Sequence, residues 1–223
     1  MTTLVVVQAR MGSTRLPGKV LADLGGRPLL VFLLERLAIL PWDRVVATSE
    51  LDRDDAVAAA ATDAGVEVVR GPEQDVLARF ALAMETYRPD VVVRLTADCP
   101  FTDPELVRAA VEQQQATGAD YVSNTVVRTF PDGLDVEVVR APVLAEAARE
   151  ATEDFDREHV TPFVYRHPER FTHEVLRNDT DLSAERWTVD TAEDLEFVRS
   201  VVDRLGVGPF GWRDVLAIAP PAG

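Results

Sequence analysis

Hydrophobic runs of strand length alternate along this chain with amphipathic segments of helix length. The apolar runs predict strands at residues 4–8, 45–48, 67–69, 91–96 and 121–124. Apolar residues spaced three or four positions apart predict helices at residues 28–40, 54–64, 75–87 and 104–117. Asp103 before Pro104 is a typical N-cap, and Thr191 with Asp194 predicts a capping box for a helix through residue 205. This alternation is typical of an α/β domain with a mainly parallel, mixed sheet.

The regular alternation breaks after residue 124, which predicts an inserted subregion at about residues 125–180. A turn at residues 131–133 leads into a strand at 134–139, followed by helices near 141–151 and 157–166 and a strand at 172–176. We expect the chain to return to the main sheet with a strand at residues 186–189. The whole is then a single domain over residues 1–218 with a loose, proline-rich tail at 219–223.

Charge and composition narrow the possible partners. The formal net charge of -15 opposes nonspecific binding to nucleic acid and to anionic lipid. No apolar run approaches the roughly 18 to 20 residues of a membrane span, and the amino terminus lacks the features of a secretory signal, so we expect a cytoplasmic protein with no membrane partner. The single cysteine, Cys99, excludes an intrachain disulfide and a cysteine-based zinc cluster, and it fits a small packed residue better than a nucleophile.

The loop after the first strand, QARMGSTRLPGK at residues 8–19, carries the strongest candidate chemistry. Its glycines let the backbone approach a ligand, its hydroxyls and amides can donate to phosphate oxygens, and Arg10, Arg15 and Lys19 can neutralise phosphate charge. It has neither the spacing of a Walker A loop nor that of a dinucleotide-binding fingerprint. The pattern therefore predicts a polyphosphate site that is neither kinase-like nor NAD-binding, although a solvated basic loop stays as the alternative.

Lys19 is the only lysine among the 23 lysine and arginine residues. A compact ammonium suits a phosphate at this position, although biased codon usage would also leave a single lysine. We expect the Lys19 side chain to be exposed in the cavity. On that expectation, its removal abolishes turnover and leaves the fold intact.

Two carboxylates follow predicted strands at the sheet edge where ligands bind in open α/β folds. Asp98 follows the strand at 91–96, and Asp190 follows the strand at 186–189. If these strands are neighbours, both acids face one cavity, where they would repel by about 4 kcal/mol at 4 Å and an effective dielectric of 20. A divalent cation removes this repulsion, and two carboxylates with phosphate oxygens and water form an oxygen-only Mg²⁺ shell. Alternatively, Asp98 is a turn residue and Asp190 a helix cap.

Three further acids, Asp132, Asp135 and Glu137, are candidates for acceptor binding. Their carboxylates suit hydroxyls, an amino group or a second Mg²⁺, and a polar turn with a strand edge is the alternative. The three histidines, His159, His167 and His173, lie in or near the predicted insertion, where structural or surface roles are favoured over catalysis. The sequence therefore names no general base.

Four segments together resemble the cytidylyltransferases that activate acidic sugars: QARMGSTRLPGK at 8–19, RLTADCP at 94–100, FPDGLDVE at 130–137 and TVDT at 188–191. The pattern is most similar to the SpsF-like branch of spore-coat polysaccharide synthesis, which is related to the CMP-KDO and CMP-acylneuraminate synthetases. The resemblance extends from residue 4 to about residue 205. It implies a Rossmann-like, GT-A-like nucleotidyltransferase fold, a three-layer sandwich that is often dimeric through the inserted region.

The resemblance also implies roles for individual residues. Arg10 and Lys19 would hold the triphosphate, and Asp98 and Asp190 would hold Mg²⁺, so these four are the candidate catalytic residues. Cytosine would be read by backbone groups of the first loop and by side chains near the ends of the third and fourth strands, where Arg70 and Thr96 stand. The sugar-acid synthetases have Gln in the place of Thr96. The nucleotide-binding set is Gln8, Ala9, Arg10, Met11, Gly12, Ser13, Thr14, Arg15, Lys19, Arg70 and Thr96.

The leading hypothesis is Mg²⁺-dependent transfer of CMP from CTP to a small anionic acceptor, such as a sugar acid, with release of pyrophosphate. The Thr96 departure keeps a second hypothesis open, in which the acceptor is a phosphonate or sugar phosphate and the donor another nucleoside triphosphate. A third hypothesis is a nucleotide-binding module without turnover. Retention of Lys19, Asp98 and Asp190 argues against it.

Overall fold

The computed structural model describes residues 1–219 of the 223-residue chain. In this part of the chain, seven strands form one sheet. The strands are Thr3–Gln8 (β1), Asp43–Ser49 (β2), Glu67–Gly71 (β3), Val91–Thr96 (β4), Tyr121–Ser123 (β5), Glu137–Arg140 (β6) and His173–Val175 (β7). The predicted loose tail lies outside the described residues from position 220 onward.

The sheet is mixed and mainly parallel, with the order β3-β2-β1-β4-β6-β5-β7. β1 pairs in parallel with β2 and β4, and β2 pairs in parallel with β3. β6 is antiparallel to both β4 and β5, and β7 is parallel to β5. The carboxyl ends of β1 and β4 therefore meet the amino end of β6 at one edge of the sheet, and this edge carries the candidate site.

Helices cover both faces of the sheet and give the predicted three-layer α/β architecture. They are Leu29–Arg36 (α1), Asp55–Asp63 (α2), Val76–Tyr87 (α3), Pro104–Thr117 (α4), Ala141–Glu150 (α5), Asp154–His159 (α6), Pro162–Tyr165 (α7), Ala192–Leu205 (α8) and Trp212–Ile218 (α9). Buried residues of α1, α2, α4, α8 and α9 belong to one hydrophobic cluster. Those of α3, α5 and α7 belong to a second cluster on the other face.

Alternating side chains of the strands supply both clusters. Val5 and Val7 pack into the first cluster, whereas Leu4 and Val6 pack into the second. All four are at most 1% exposed. A strand covered by helices on both faces must be apolar at successive positions, which explains the continuous hydrophobic run at the start of the chain.

The predicted helix starts are confirmed by their caps. The Asp103 side chain accepts from the backbone N–H of Glu105 at 2.8 Å, with Pro104 at the first helical position. Thr191 and Asp194 form the reciprocal capping box that begins α8. In each case the side chain satisfies a backbone donor that has no partner inside the helix.

Several predicted bounds were wrong. The helix expected at 28–40 ends at Arg36 and continues as a 3₁₀ turn over Leu37–Ile39. The helix expected at 157–166 is two short helices, α6 and α7, separated by Val160 with φ of 74°. The strand expected at 134–139 begins only at Glu137, and α9 was not predicted. Alternating apolar residues cannot by themselves show where a ladder of hydrogen bonds begins.

The largest correction concerns residues 186–189, which do not form a strand of the sheet. Arg186 makes an isolated parallel bridge to Asp132, and the N–H of Val189 donates to the carbonyl of Asp98 at 2.8 Å. Trp187 and Val189 still point into the first hydrophobic cluster. The alternation of buried and more exposed side chains at 186–189 is typical of a strand. The segment nevertheless bonds to the loop after β4 and does not extend the sheet.

Candidate active site

The loop that follows β1 is held in place by a buried acid. The N–H of Met11 donates to Oδ1 of Asp54 at 2.6 Å, and Asp54 is fully buried. Within the loop, the N–H groups of Ser13 and Gly18 both donate to the carbonyl of Met11. Gly18 has φ of 73°, a conformation that glycine adopts without strain, and it begins the 3₁₀ turn Lys19–Leu21. These contacts turn the loop back on itself and bring Lys19 to the end of the sheet.

Lys19 joins the two acids that the sequence places far apart. Its Nζ donates to Oδ2 of Asp98 at 2.7 Å and to Oδ1 of Asp190 at 2.9 Å. The Lys19 side chain is only 10% exposed, so the prediction of an exposed side chain was wrong. Burial lowers the pKa of Lys19, but the two carboxylates outweigh it and raise the pKa above its ordinary value.

Asp190 is ionised at neutral pH. Burial raises its pKa, but hydrogen bonds from Lys19 and Arg186 and the charge of Arg15 lower the pKa to about 2. Nη2 of Arg186 lies 2.7 Å from Oδ2 of Asp190, and Nη2 of Arg15 lies 3.0 Å from the same atom. A charged carboxylate is thus maintained beside Lys19, which is what a hard metal ion or a cationic side chain requires.

The carboxylates of Asp98 and Asp190 supply only part of the ligand shell that Mg²⁺ requires. Two carboxylate oxygens converge on the Lys19 ammonium, and such oxygens are preferred ligands of hard divalent cations. Over residues 1–219, no group of three or more His, Cys, Asp and Glu side chains is arranged to hold a metal ion. A cation at Asp98 and Asp190 would therefore take its other ligands from phosphate and water.

A cavity of about 540 Å³ opens at this edge of the sheet, and Lys19, Asp98 and Asp190 line it together. Most of the predicted nucleotide-binding residues also line it: Gln8, Ala9, Arg10, Gly12, Ser13, Thr14, Arg15 and Thr96. A larger and more open groove of about 910 Å³ lies near Met1, between α3 and α5, but it contains no comparable pair of acids beside a lysine. The smaller cavity is the one that combines carboxylates able to bind a metal ion with cations and hydroxyls able to bind phosphate.

Two predicted nucleotide-binding residues lie elsewhere. Met11 packs against the first hydrophobic cluster and is not among the residues that line the cavity. Arg70 is also absent from the lining: its guanidinium pairs with Asp55 at 2.6 Å and donates to the carbonyls of Ser49 and Leu51. Arg79, for which the sequence pattern predicted no role, lines the cavity instead.

Arg79 is a buried cation on the α3 wall of the cavity. Its side chain donates to the carbonyls of Pro72 and Glu73, and the residue is 1% exposed. Burial, followed by repulsion from Arg10, lowers the pKa of Arg79 to about 10. An arginine in the first turns of a predicted amphipathic helix gives no signal of its own, so the sequence pattern did not indicate a role for Arg79.

The three predicted acceptor-binding acids differ in whether they reach the cavity. Asp132 and Asp135 line the cavity. Both pair with Arg128, and Asp132 also pairs with Arg186 at 2.8 Å. Burial raises the pKa of Asp132, and the nearby charge of Asp135 adds to this, while Arg128 and Arg186 oppose it. Glu137, by contrast, is not among the lining residues.

Glu137 is the centre of a buried polar network. Its carboxylate pairs with Arg94 and accepts from the hydroxyl of Tyr121 and, at 2.6 Å, from Oγ1 of Thr161. Only 3% of Glu137 is exposed. A carboxylate with three such partners is a structural link between β6, β4 and the segment after α6, because leaving any of these polar groups unpaired would be costly.

A glycine fixes the position of Asp132. Gly133 has φ of 111°, and a Cβ at this position would lie 2.6 Å from the backbone nitrogen of Thr188. The turn at residues 131–133 thus presses against the 186–188 backbone, where the N–H of Trp187 donates to the carbonyl of Asp132 at 2.6 Å. This contact brings Asp132, Arg186 and Asp190 to the same part of the cavity.

The remaining lining residues include several that the sequence analysis did not select. Arg186 connects Asp132 with Asp190, and Glu158 pairs with Arg10 at 2.8 Å. His159 lies at the cavity wall, next to Glu158 in α6. Cys99 is buried and also contributes to the lining, and burial raises the pKa of its thiol well above the usual value. Over the described residues, no helix is long and apolar enough to span a membrane.

Comparisons with known proteins agree on one family. A family model described as cytidylyltransferase matches residues 4–203. The chain is 39% identical over 215 residues to the spore coat polysaccharide biosynthesis protein SpsF of Bacillus subtilis (strain 168), which covers 92% of this chain and 88% of that relative. It also superimposes on a solved cytidylyltransferase from Leptospira borgpetersenii with a TM-score of 0.94 at 34% identity, covering 98% of this chain and 93% of the other.

Two more distant structures share the fold. A CMP-2-keto-3-deoxy-manno-octonic acid synthetase solved with CTP gives a TM-score of 0.69 at 18% identity, covering 92% of this chain and all of that one (100%). A Mycobacterium tuberculosis protein solved with manganese gives a TM-score of 0.63 at 19% identity, covering 90% of this chain and 99% of the other. At these identities the likeness concerns the fold alone.

Proposed function

The chain belongs to the cytidylyltransferase family, and from that premise we propose that it transfers CMP from CTP to a small anionic acceptor and releases pyrophosphate. The single observation that supports this most directly is the Lys19 ammonium bonded to both Asp98 and Asp190. A cationic loop and two acids distant in sequence thereby share one cavity. These are the groups that phosphoryl-type transfer requires for positioning and charge neutralisation.

The roles follow from position around the sheet edge. Arg10, Arg15 and Lys19 belong to the loop after β1 and bind the triphosphate, with Gly12, Ser13 and Thr14 offering backbone and hydroxyl donors. Asp98 and Asp190 hold a divalent cation, for which we propose Mg²⁺. When bound, that cation supplies neutralising charge to the phosphate oxygens. Gln8, Ala9 and Thr96 lie at the ends of β1 and β4 and border the nucleoside.

The acceptor enters from the side of the cavity that carries Asp132, Asp135 and Arg186. Arg186 offers a fork of donors to an anionic group, and the two aspartates offer acceptors for hydroxyls. A sugar acid presents both kinds of group, and we therefore propose a sugar acid as the substrate class. An oxygen of the acceptor attacks the α-phosphorus in line, and pyrophosphate leaves on the opposite side.

Pyrophosphate release is the direct test. The enzyme is incubated with CTP, Mg²⁺ and a panel of sugar acids, and we expect release with CTP in the presence of one acceptor class. Asp98→Asn should reduce the rate by about 10²-fold or more, because it removes one of the two charged metal ligands. Asp63→Asn, an exposed change in α2, is the control. Absence of pyrophosphate with every nucleotide and acceptor would contradict the proposal.

The choice of base is tested separately because Thr96 departs from the glutamine of the sugar-acid synthetases. Ranking the four nucleoside triphosphates with Mg²⁺ by thermal shift should place CTP first. A clear preference for UTP or GTP would instead favour the second candidate, transfer of another nucleotide to a sugar phosphate or phosphonate. A chain that binds nucleotide while wild type and Lys19→Ala are equally inert would be a nucleotide-binding module.

Assembly is a further part of the proposal. We infer a homodimer through the region around residues 125–180, on the basis of the family resemblance. Light scattering of the purified protein at several concentrations tests it, and a mass that stays at that of one chain at every concentration would contradict it.

A further inference from the structure

The three cations of the phosphate-binding loop all contact acids of the same cavity. Lys19 contacts Asp98 and Asp190, and Arg15 contacts Asp190. Arg10 differs, because Nη2 of Arg10 donates to Oε1 of Glu158 at 2.8 Å. Asp98 and Asp190 have the role of metal ligands in the proposed function, whereas Glu158 has no role there. The contact between Arg10 and Glu158 therefore needs its own explanation.

Arg10 stands in a part of the cavity that favours an anion. Arg79 lies close enough that its charge and that of Arg10 repel each other, which contributes to the lowered pKa of Arg79. The Nε atom of Arg79 is buried without a hydrogen-bond partner among the described residues. Two neighbouring cations are stabilised by a negative group placed against one of them. Glu158 supplies that group to Arg10.

The backbone is strained two residues after Glu158, at the end of α6. Val160 has φ of 74° and ψ of -55°, and the N–H of Thr161 donates to the carbonyl of His159 at 2.9 Å. This is a γ-turn with positive φ, a rare conformation that is unfavourable for a β-branched residue. Val160 is fully buried, and Thr161 is bonded to the buried Glu137. Strain of this kind is concentrated at ligand clamps and switch segments.

The two residues before Glu158 in α6 are attached to neighbouring elements. Arg157 bonds Asp75 at the start of α3, and Asp156 is buried and pairs with Arg166. The Glu158 side chain is more accessible than these two, since 42% of it is exposed. Its carboxylate can therefore leave Arg10 without disturbing the packing of the helix.

We propose that Glu158 is an internal competitor of the nucleotide triphosphate for Arg10. The triphosphate carries more negative charge than one carboxylate, so it displaces Glu158, and the freed carboxylate then lies on the α6 wall beside His159. This inference rests on the proposed function, in which Arg10 binds the triphosphate.

Calorimetric titration with CTP and Mg²⁺ tests the proposal through a gain of affinity. Glu158→Gln removes the competing charge and keeps the size of the side chain, so CTP should bind about threefold to tenfold more tightly than to wild type. Glu169→Gln, an exposed glutamate outside the cavity, makes the same change in net charge and should leave the affinity unchanged. Thermal melting of each variant checks the fold. Unchanged or weaker CTP binding by Glu158→Gln would overturn the proposal.

A double-mutant cycle separates competition for Arg10 from general repulsion. Arg10→Gln should weaken CTP binding, and in that background Glu158→Gln should add almost no affinity. An equal gain in CTP affinity in wild type and in Arg10→Gln would show that Glu158 acts only through long-range repulsion. That result would overturn the competition mechanism.

Inorganic tripolyphosphate with Mg²⁺ distinguishes this inference from the proposed function. The competition concerns the phosphate groups, so Glu158→Gln should also tighten tripolyphosphate binding by about threefold or more. A wild-type enzyme that binds tripolyphosphate without preferring CTP would contradict the proposed base choice and leave the competition intact. If wild type prefers CTP and Glu158→Gln binds neither CTP nor tripolyphosphate more tightly, the competition proposal alone would be contradicted.

Discussion

Lys19 stabilises a pair of acids that would otherwise repel each other. The sequence pattern predicts contact of Lys19 with phosphate, yet its ammonium is bonded to both Asp98 and Asp190. Because the side chain is largely buried, a substitution here affects the fold as well as the reaction. The metal ion of the proposed function and the Lys19 ammonium thus satisfy the same two carboxylates.

We expect Lys19→Met to lose activity and to be less stable than wild type by about 1–3 kcal/mol, because the two acids are left without their shared cation. Mg²⁺ without nucleotide should then raise the melting temperature of the variant more than that of wild type. Differential scanning calorimetry with and without Mg²⁺ measures both effects. Arg15→Met is the control, since Arg15 is 63% exposed and its pair with Asp190 should contribute at most about 1 kcal/mol. An equal Mg²⁺ response in Lys19→Met and wild type would contradict this account.

Gly133 is the second residue at which local geometry determines the site. A methyl group there would meet the backbone of Trp187 and Thr188, and the positive φ adds strain. We expect Gly133→Ala to lower the free energy of unfolding by about 2–4 kcal/mol. Gly208→Ala should have little effect, because open space surrounds that glycine. Urea unfolding of the two variants tests the contrast, and similar small losses in both would show that the 131–133 turn can move away.

At the scale of the elements, the outermost strand depends on one acid. β7 is three residues long and pairs with β5 at the sheet edge. Asp120 accepts from the N–H and the hydroxyl of Thr172 at 2.9 Å each, and from Arg140 at 3.0 Å. A short edge strand has few ladder bonds of its own, so this clamp at its start contributes much of its attachment.

The clamp has a predictable pH dependence. Burial raises the pKa of Asp120, but the bonds from Thr172 and Arg140 outweigh it and lower the pKa below its ordinary value. A lowered native pKa stabilises the fold above the unfolded value of about 3.9, and this contribution is lost as the pH falls through the native pKa. Asp120→Asn should therefore be less stable than wild type by about 1 kcal/mol at pH 7, with a smaller difference near pH 3.

Urea unfolding of both proteins at pH 7, 5 and 3 measures that difference. Asp179→Asn, an exposed change in the loop after β7, is the control and should show none. A stability difference that stays constant across this pH range would mean that the Asp120 carboxylate is not the stabilising group.

For the whole molecule, one sheet joins two hydrophobic clusters. Every long strand supplies side chains to both clusters, and β6 from the predicted insertion lies between β4 and β5 in the interior of the sheet. Neither cluster can lose its strands without exposing the other. We therefore expect residues 125–180 to unfold together with the rest of the domain.

Thermal or urea unfolding followed by two probes tests this cooperativity. Tryptophan fluorescence reports mainly the first cluster, where Trp187 and Trp212 are buried, whereas far-UV circular dichroism also reports the helices on the other face. The two transitions should coincide, as for a two-state domain. A helical transition at lower temperature or lower urea without a fluorescence change would show that the inserted region unfolds separately.

The α/β class and the helix caps at Asp103 and Thr191 could be predicted from the sequence, and so could the position of the polar loop at residues 8–19 after the first strand. These features depend on local periodicity and on residues close together in the chain, which is information that a sequence carries directly. The positions of Asp98 and Asp190 after predicted strands indicated that they face one cavity, and the family resemblance added the expectation that they hold Mg²⁺.

Which side chains contact each other became clear only from the folded structure. It brought Asp190 to Lys19 through an extended segment instead of a strand, turned Arg70 away from the cavity, and placed Arg79, Glu158 and Arg186 in it. It also buried Glu137 in a network with Arg94 and Tyr121. The contact between Lys19 and Asp190 joins residues 171 positions apart. Such contacts depend on how helices and loops pack around the sheet edge. The periodicity of a single segment gives no information about that packing.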